Sequence, residues 1–431
     1  MSTIRFAFRA LAIFALVLFS LGRYFVGWLL MFVMFQPKVQ RQEWFGRCFV
    51  GLFRALGATF VKVGQIMSTR PDLFPPHVIH ALETLQDNVG PFAYAHVQRT
   101  FVDEFGKLPE ELFAEISPVP IASASVAQVH KARMHDGRIV AVKVRRPKLE
   151  EIVAFDLKVM RGVGHILSLL PSIKLLAPAE SVEEFGRGIL MQLDFTIEAK
   201  NNRRFVENFK GDRDVLFPGL VDELCSERVL TMEFIDGTKV LNFRDTPSDP
   251  KRLAGIGFRV MLKMVFEDGF VHADLHPGNI FITRDDRVAI LDLGLVGELD
   301  ATHRSGFARY FAAWAQGDGR TMARLMADMS PSRHTKKGIP DFAGFEGAVV
   351  AFVQKYYGKR LGEVQISLVF MDMMNILRKY RVRVNPTFTL VNIAIAVTEG
   401  IGKQLDPDVD LMAAALPFFA KFNFFAPEAV G

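Results

Sequence analysis

Cysteine is almost missing from this sequence: Cys48 and Cys225 are the only two in 431 residues. That excludes a disulfide framework and a thiolate metal cluster, and makes a reducing compartment the simplest setting. A large charge of one sign is missing too. Lysine and arginine total 52 against 47 aspartates and glutamates, a net of +5. Such an excess is too small at this length to suggest nucleic acid. It is compatible with an anionic membrane surface or a polyphosphate ligand. Tryptophan and tyrosine are scarce, at 3 and 6 residues, whereas phenylalanine reaches 40. Half of the residues are hydrophobic, and the length allows a two-lobed domain with extra elements.

The N-terminus differs in kind. Residues 6–35 are apolar almost throughout, broken by Arg9 and Arg23. A signal peptide has a shorter apolar core and a small-residue cleavage site, and neither is evident. The 26 residues from Ala10 to Phe35 are long enough to span a bilayer. Arg23 near the middle makes spanning costly. Lying in the interface as an amphipathic helix and packing on the protein itself therefore stay open. Membrane association is the expectation, with spanning slightly preferred to lying flat. Arg5 and Arg9 precede the run and Lys38, Arg41 and Arg47 follow it, so flanking charge sets no orientation.

The most informative stretch is His272-Ala-Asp274-Leu-His276-Pro-Gly-Asn279, followed by Asp292-Leu-Gly294. Two carboxylates and a carboxamide at this spacing suit a nucleoside triphosphate with its magnesium ions. One carboxylate can orient or deprotonate an acceptor hydroxyl, while Asn279 and Asp292 supply hard oxygen ligands. The spacing from Asp274 to Asn279 matches the protein-kinase pattern H-R-D-x-x-x-x-N, with D-F-G downstream. Residues 280–283 and 287–292 read as two short strands around an Asp285-Asp286 turn, with Asn279 and Asp292 at the mouths of one hairpin. His272 and His276 stand four apart, as zinc ligands on a helix do. No Glu follows His272, and Pro277-Gly278 stops a helix. A purely structural turn is the other plain reading of this segment alone.

The upstream chain carries complementary parts. Residues 39–60 have a helical apolar stripe, Lys62-Val-Gly64-Gln65 follows, and Pro76 starts a helix over 77–87. Another helix covers 92–105. Strand signals begin at Pro120: Ile121-Ala122-Ser123-Ala124-Ser125 leads into 126–132. A turn at His135-Asp136-Gly137 and a second strand, 138–144, complete a hairpin. Lys143 sits there in an A-V-K context, the setting of the phosphate-contacting kinase lysine. Alone it reads equally as a solvated lysine on an edge strand. Residues 150–190 look helical, and the expected partner of Lys143 is Glu198 on a helix over 193–205. Residues 229–237 read as a strand entering a hinge, whose backbone near Glu233 to Ile235 would meet an adenine edge. A helix over 250–268 precedes the Asp274 loop. After Asp292, helical sequence starts by about Thr302 with no A-P-E element, so a platform for an extended peptide is missing. Residues 316–405 are mostly helical, and Leu411 to Phe425 is again apolar.

These motifs together resemble the UbiB/AarF atypical kinase family. The resemblance rests on Lys62-x-Gly64-Gln65 with Ser68-Thr-Arg-Pro-Asp-Leu-Phe-Pro75, Ala122 to Ser125, and Asp194-x-x-x-Glu198-Ala-x-Asn201. It is completed by the Asp274/Asn279 and Asp292-x-Gly294 motifs. It implies that Ala122, Ser123, Ala124 and Ser125 form an Ala-rich loop where kinases carry glycines. Side chains there stiffen the loop and are expected to alter nucleotide preference. It implies that Lys62, Gly64 and Gln65 belong to an element laid over the nucleotide cleft that restrains protein phosphorylation. It also implies a slow, lipid-sensitive ATPase linked to ubiquinone and related isoprenoid lipids. The sequence departs from the family pattern at Gln192, where Glu-x-Asp194 is usual, which bears on an ion pair to Lys62. Leu275 replaces a common Pro, and Leu293 replaces the Phe of D-F-G.

The resulting expectation is an α+β, protein-kinase-like two-lobed fold with an N-terminal helical extension and a helical insertion in the N-lobe. Its parts would be 1–38 apolar, 39–115 helical extension, 116–237 N-lobe and 238–431 C-lobe. ATP and Mg²⁺ are the expected cofactors, with Asp274 catalytic, Asn279 and Asp292 on metal, and Lys143, Glu198, Glu233, Ile235 and residues 122–125 on nucleotide. Lys62, Gly64, Gln65 and Asp194 are expected to regulate. Partners would be membrane lipids or quinone-pathway intermediates and enzymes, at the cytoplasmic face of a membrane, without nucleic acid. Two alternatives remain: a small-molecule phosphotransferase of the aminoglycoside or choline kinase type, and an ATP-gated membrane scaffold or lipid chaperone. The Lys62–Gln65 extension argues against the first.

Overall fold

The computed structural model describes residues 3–68, 74–85, 90–169, 178–273, 275–330, 339, 341–357, 366–382 and 386–407. Two compact units divide the chain. One comprises Met1–Arg203 with Gly219–Phe234, the other Arg204–Pro218 with Ile235–Gly431. Residues 204–218, which begin within the end of the Glu198 helix, pack with the second unit.

The first unit opens with helices α1 (Thr3–Val33), α2 (Lys38–Leu56), α3 (Ala58–Ser68), α4 (Pro76–Leu82), α5 (Tyr94–Phe105) and α6 (Pro109–Leu112). The helix expected over 39–60 is two. Gly57, at φ +98°, adopts a backbone conformation that side chains disfavour, and α3 starts on the far side of it. Pro76 stands at the first position of α4, where a missing N–H costs nothing. Gly106 closes α5 in the left-handed region. Strands β1 (Glu115–Ile116), β2 (Ala122–Ser123), β3 (Ala127–Arg133) and β4 (Ile139–Arg145) follow. The sheet thus starts earlier than the Pro120 signal, with β1 pairing antiparallel to β3.

Helices α7 (Leu149–Ser168) and α8 (Pro178–Leu193) form the insertion before α9 (Phe195–Asn208). Strand β5 (Val215–Leu216) belongs to the second unit, and β6 (Val229–Glu233) returns to pair with β4. The order β1-β3-β4-β6, with β2 beside β3, makes β4 a central strand. From Ile139 to Val144 its burial alternates with a period of two. Val140, Val142 and Val144 are buried against Val97, Phe101 and Phe113, so Lys143 projects to the opposite face. A second cluster packs α2, α3, α4, α7 and α8 together through Phe53, Leu56, Phe60, Leu82, Leu157 and Ile189.

The second unit holds β7 (Gly237–Lys239), α10 (Pro250–Leu262), β8 (Phe270–His272), β9 (Ile280–Thr283), β10 (Val288–Ile290) and β11 (Val296–Glu298). Helices α11 (Ala301–Ala315), α12 (Gly319–Asp328), α13 (Phe342–Tyr356), α14 (Ile366–Tyr380) and α15 (Pro386–Leu405) follow among its described residues. The helix expected over 250–268 stops being regular at Leu262, and Lys263–Asp268 widens into a π-helical turn. The short β8–β11 pair, Val296 opposite His272, has too few residues to show a period in sequence. Strands order as β5-β10-β9-β7 among the described residues. Asp249, Asp300, Asp318 and Asp341 each accept a backbone N–H at the start of a helix. The apolar stretch from Leu411 to Phe425 lies outside the described residues.

Candidate nucleotide site

In the first unit, Lys143 is fixed on both sides by the ladder, opposite Val129 on β3 and Leu230 on β6. Its Nζ lies 2.9 and 2.8 Å from the two carboxylate oxygens of Glu198. It also sits 5.2 Å from the centroid of the buried Phe195 ring. The Glu198 side chain is 6% exposed and that of Lys143 15%, so water screens the pair little. Asp194 sets the helix that presents Glu198. Its carboxylate accepts from the Thr196 backbone N–H at 2.9 Å and hydroxyl at 2.6 Å, an N-cap that fixes the first turn of α9.

The Ala-rich loop is held by Arg146, which sequence reasoning did not single out. Its guanidinium donates to the Ala124 carbonyl at 2.7 Å, the Ser123 hydroxyl at 2.9 Å and the Gly90 carbonyl at 2.8 Å. Nothing in the neighbouring Arg145-Arg146-Pro147 sequence marks one arginine as a staple. Within the loop Ala122 is exposed and Ser123 and Ala124 half-buried, while Ser125 is fully buried. Behind it lies a buried polar relay. The Phe92 N–H donates to Gln128, Gln128 meets His130 Nε2 at 2.8 Å, and His130 Nδ1 meets the Ser117 carbonyl at 2.7 Å. A carbonyl only accepts, so Nδ1 carries the proton. Burial pushes the His130 pKa below its ordinary value, against the Ser117 bond.

Gly64 explains itself sterically. A Cβ there would lie 2.3 Å from Leu85 Cδ1 and 2.7 Å from Phe53 Cδ2. Gln65 donates to the Leu85 carbonyl at 3.1 Å, and Lys62 is half-buried on the same helix. At the other end of the unit, the Glu233 N–H bonds Gly219 at 2.7 Å and the Phe234 N–H bonds Ile139 at 3.1 Å. Ile235 begins the longer of the two segments that make up the second unit.

In the second unit the β9–β10 hairpin has Asn279 and Asp292 at its mouth. The Leu291 N–H donates to the Asn279 carbonyl at 2.8 Å. Asp292 is exposed, with φ +57°, a left-handed backbone that non-glycine residues adopt at a cost. Leu293 and Leu275, the two departures from the kinase pattern, are both buried in the core beneath the hairpin. They act there as apolar plugs and leave the polar positions alone. His272 is buried on β8, while His276 Nδ1 accepts from the Gly278 N–H at 3.0 Å, so the two histidines have separate structural settings. Asp274 lies outside the described residues.

The turn of this hairpin is anchored to α10. Arg252 pairs with Asp286 and Asp214, both at 2.7 Å, and Arg259 pairs with Asp212 and Asp214. Arg252 and Arg259 are seven apart on one helix face, the sequence signal that would have exposed this network.

Paired lysine and glutamate on a five-stranded sheet and helix, with an Asn/Asp hairpin in a helical unit, define a protein-kinase-like fold. Within that class, residues 84–326 match the ABC1 atypical kinase-like domain and residues 349–410 the UbiB helical domain. The chain belongs to the ABC1/UbiB atypical kinase family. It is 34% identical over 386 residues to the "Probable protein kinase UbiB" of Vibrio atlanticus, covering 87% of this chain and 70% of that one. The protein of the same name from Cellvibrio japonicus is 35% identical over 419 residues, covering 93% and 73%. Among solved structures, the Mycobacterium tuberculosis Rv3197–erythromycin complex superposes with a TM-score of 0.55 at 24% identity, covering 82% of this chain and 90% of that one. That likeness concerns the fold.

Proposed function

We propose that the protein binds Mg-ATP and acts as an atypical kinase or ATPase in ubiquinone or related isoprenoid-lipid metabolism at a membrane. The observation that carries the nucleotide reading is the two-pronged Lys143–Glu198 contact, which holds a lysine ammonium rigid on a central strand. Lys143 in this reading contacts the α- and β-phosphates, and the Arg146-stapled residues 122–125 lie along them. The backbone of Glu233 to Ile235 takes the adenine edge. Asn279 and Asp292 offer amide and carboxylate oxygens, the donor type Mg²⁺ prefers, and would hold it. When bound, Mg-ATP would supply the phosphoryl group, and the metal held by Asn279 and Asp292 would offset the charge on its oxygens. Asp274 then orients the acceptor hydroxyl or water and takes its proton.

A lipid-pathway acceptor is favoured over a peptide because α11 begins at Ala301, soon after Asp292, without an A-P-E element. Lys62, Gly64 and Gln65 restrain transfer to proteins in this reading, and Asp194 contributes by fixing the Glu198 helix. The family membership and the shared name of the curated relatives support the atypical-kinase part. The test is quinone profiling of a deletion strain complemented with wild type, Lys143→Ala or Asp274→Ala, beside Mg-ATP binding by each purified protein. Loss of quinone on deletion, restored by wild type alone, is expected. Unchanged quinone content on deletion would remove the pathway assignment, and full Mg-ATP affinity in Lys143→Ala would remove the site.

A further inference from the structure

Helix α1 is apolar enough to cross a bilayer, with mean hydropathy 1.9 over Phe8–Val33, yet one face is committed to the protein along most of its length. Near its start, Arg9 pairs two-pronged with Asp156 of α7, at 3.0 and 2.9 Å, and donates to the Leu56 carbonyl at 2.7 Å. Asp156 is fully buried. Ile13 enters the α2–α7 cluster, with Ala10, Leu16 and Val17 beside it. Near its end, a Cβ at Gly27 would lie 2.4 Å from the Trp44 ring, and Trp44 Nε1 donates to the Tyr24 carbonyl at 3.3 Å. Positions 9, 13, 16, 20, 24 and 27 fall on one helical stripe. The opposite face is bare and apolar: Leu11 63%, Phe14 60%, Leu18 53%, Phe25 60% and Leu29 45% exposed.

This arrangement bears on how the segment meets a bilayer. The packed stretch from Arg9 to Gly27 is about 27 Å long, nearly the thickness of the hydrocarbon core. If α1 crossed, α2 would have to cross beside it, carrying the exposed Lys38, Glu43, Arg47 and Arg54 into hydrocarbon, where such charges are strongly disfavoured. Arg23 needs no bilayer partner, since its guanidinium lies over the Trp44 ring at 5.3 Å. Residues 1–42 contain Arg5, Arg9, Arg23, Lys38 and Arg41 and no Asp or Glu, which complements an anionic surface.

We propose that α1 lies in one leaflet of an anionic bilayer, its Leu11–Phe14–Leu18–Phe25–Leu29 face in the acyl boundary and α2 above it, with neither helix crossing. This rests on the membrane reading given above and specifies its geometry. The test uses the full-length chain added to preformed sealed vesicles of phosphatidylcholine with or without one-quarter phosphatidylglycerol. Binding is read by flotation, and topology by an impermeant maleimide on the variants Ser2→Cys and Phe35→Cys, each in a Cys48→Ala, Cys225→Ala background. The expected results are binding at least tenfold stronger to anionic vesicles, labelling of both cysteines from outside, and tenfold or greater loss of binding in Leu18→Glu. Lys38→Glu with Arg41→Glu should weaken binding to the anionic vesicles alone. Protection of one end would overturn the one-leaflet geometry while leaving membrane binding intact. Absence of vesicle binding would remove both, as would a dimer that Leu18→Glu splits into vesicle-indifferent monomers.

Discussion

Lys143 Nζ and the Glu198 carboxylate meet through two hydrogen bonds of 2.9 and 2.8 Å although 55 residues separate them. Both side chains are largely buried, so neither partner is easily replaced by water. Lys143→Met removes the cation from a buried carboxylate and should destabilise the chain by about 3 kcal/mol. Adding Glu198→Gln should restore much of that loss, a coupling readable in a double-mutant cycle by urea denaturation. Equal and additive losses from the two single changes would show that the pair is energetically idle. Neither single variant is expected to bind Mg-ATP within tenfold of wild type.

Asp292 combines exposure with a left-handed backbone at φ +57°. Asparagine tolerates that region nearly as well as aspartate, so Asp292→Asn should unfold at the wild-type denaturant concentration while losing at least tenfold in Mg²⁺-dependent ATP affinity. Asp292→Val, which cannot relax there, should lose about 1–3 kcal/mol of stability. Unaltered Mg-ATP binding by the asparagine variant would refute the metal role.

His130 predicts a pH dependence with a definite sign. Burial lowers its pKa from an ordinary 6.5, so on acidification the unfolded chain takes up a proton that the folded relay resists. Stability from the neutral ring is complete above about pH 6.5 and declines as pH falls toward the lower folded value. Thermal midpoints of wild type should therefore drop as the pH falls below about 6.5, and His130→Gln should flatten that drop. An identical slope in the variant would assign the acid sensitivity elsewhere.

Gly64→Ala sets two effects against each other. Alanine improves helix propensity by up to about 1 kcal/mol. Its methyl must also displace Leu85 Cδ1 and the Phe53 ring, and the Phe53 ring lies tilted against Phe49 with centroids 4.6 Å apart. Overpacking at about 1–3 kcal/mol should win, giving a lower melting temperature by calorimetry.

Much of this was legible in the residues. The A-V-K strand and the Asp285-Asp286 hairpin each carry a local signal, alternation and a turn, while the Asp194 cap that starts the Glu198 helix at Phe195 emerged only from the fold. The Gly57 break between α2 and α3 was blurred because the apolar stripe runs on across it. The π-helical turn after Leu262 and the β8–β11 pair are set by tertiary packing and have no period of their own. Arg146 was invisible for a similar reason, since Ser123 and Ala124 reach it only once β2 pairs with β3, and Gly90 is 56 residues away in sequence. The Arg9–Asp156 contact joins residues 147 apart, and no window of sequence links them.

The base of the α7–α8 insertion is closed by Arg145, whose guanidinium donates to the Leu193 carbonyl at 2.6 Å. The consequence concerns the order of folding. A loop tied at its ends adds only about 0.6 kcal/mol of closure entropy per doubling of length, and two antiparallel helices assemble from near neighbours. The strand bearing Lys143 and the helix bearing Glu198 are thus kinetic neighbours rather than distant ones. Lengthening or shortening the insertion between Arg145 and Leu193 should alter the refolding rate far less than breaking that one hydrogen bond.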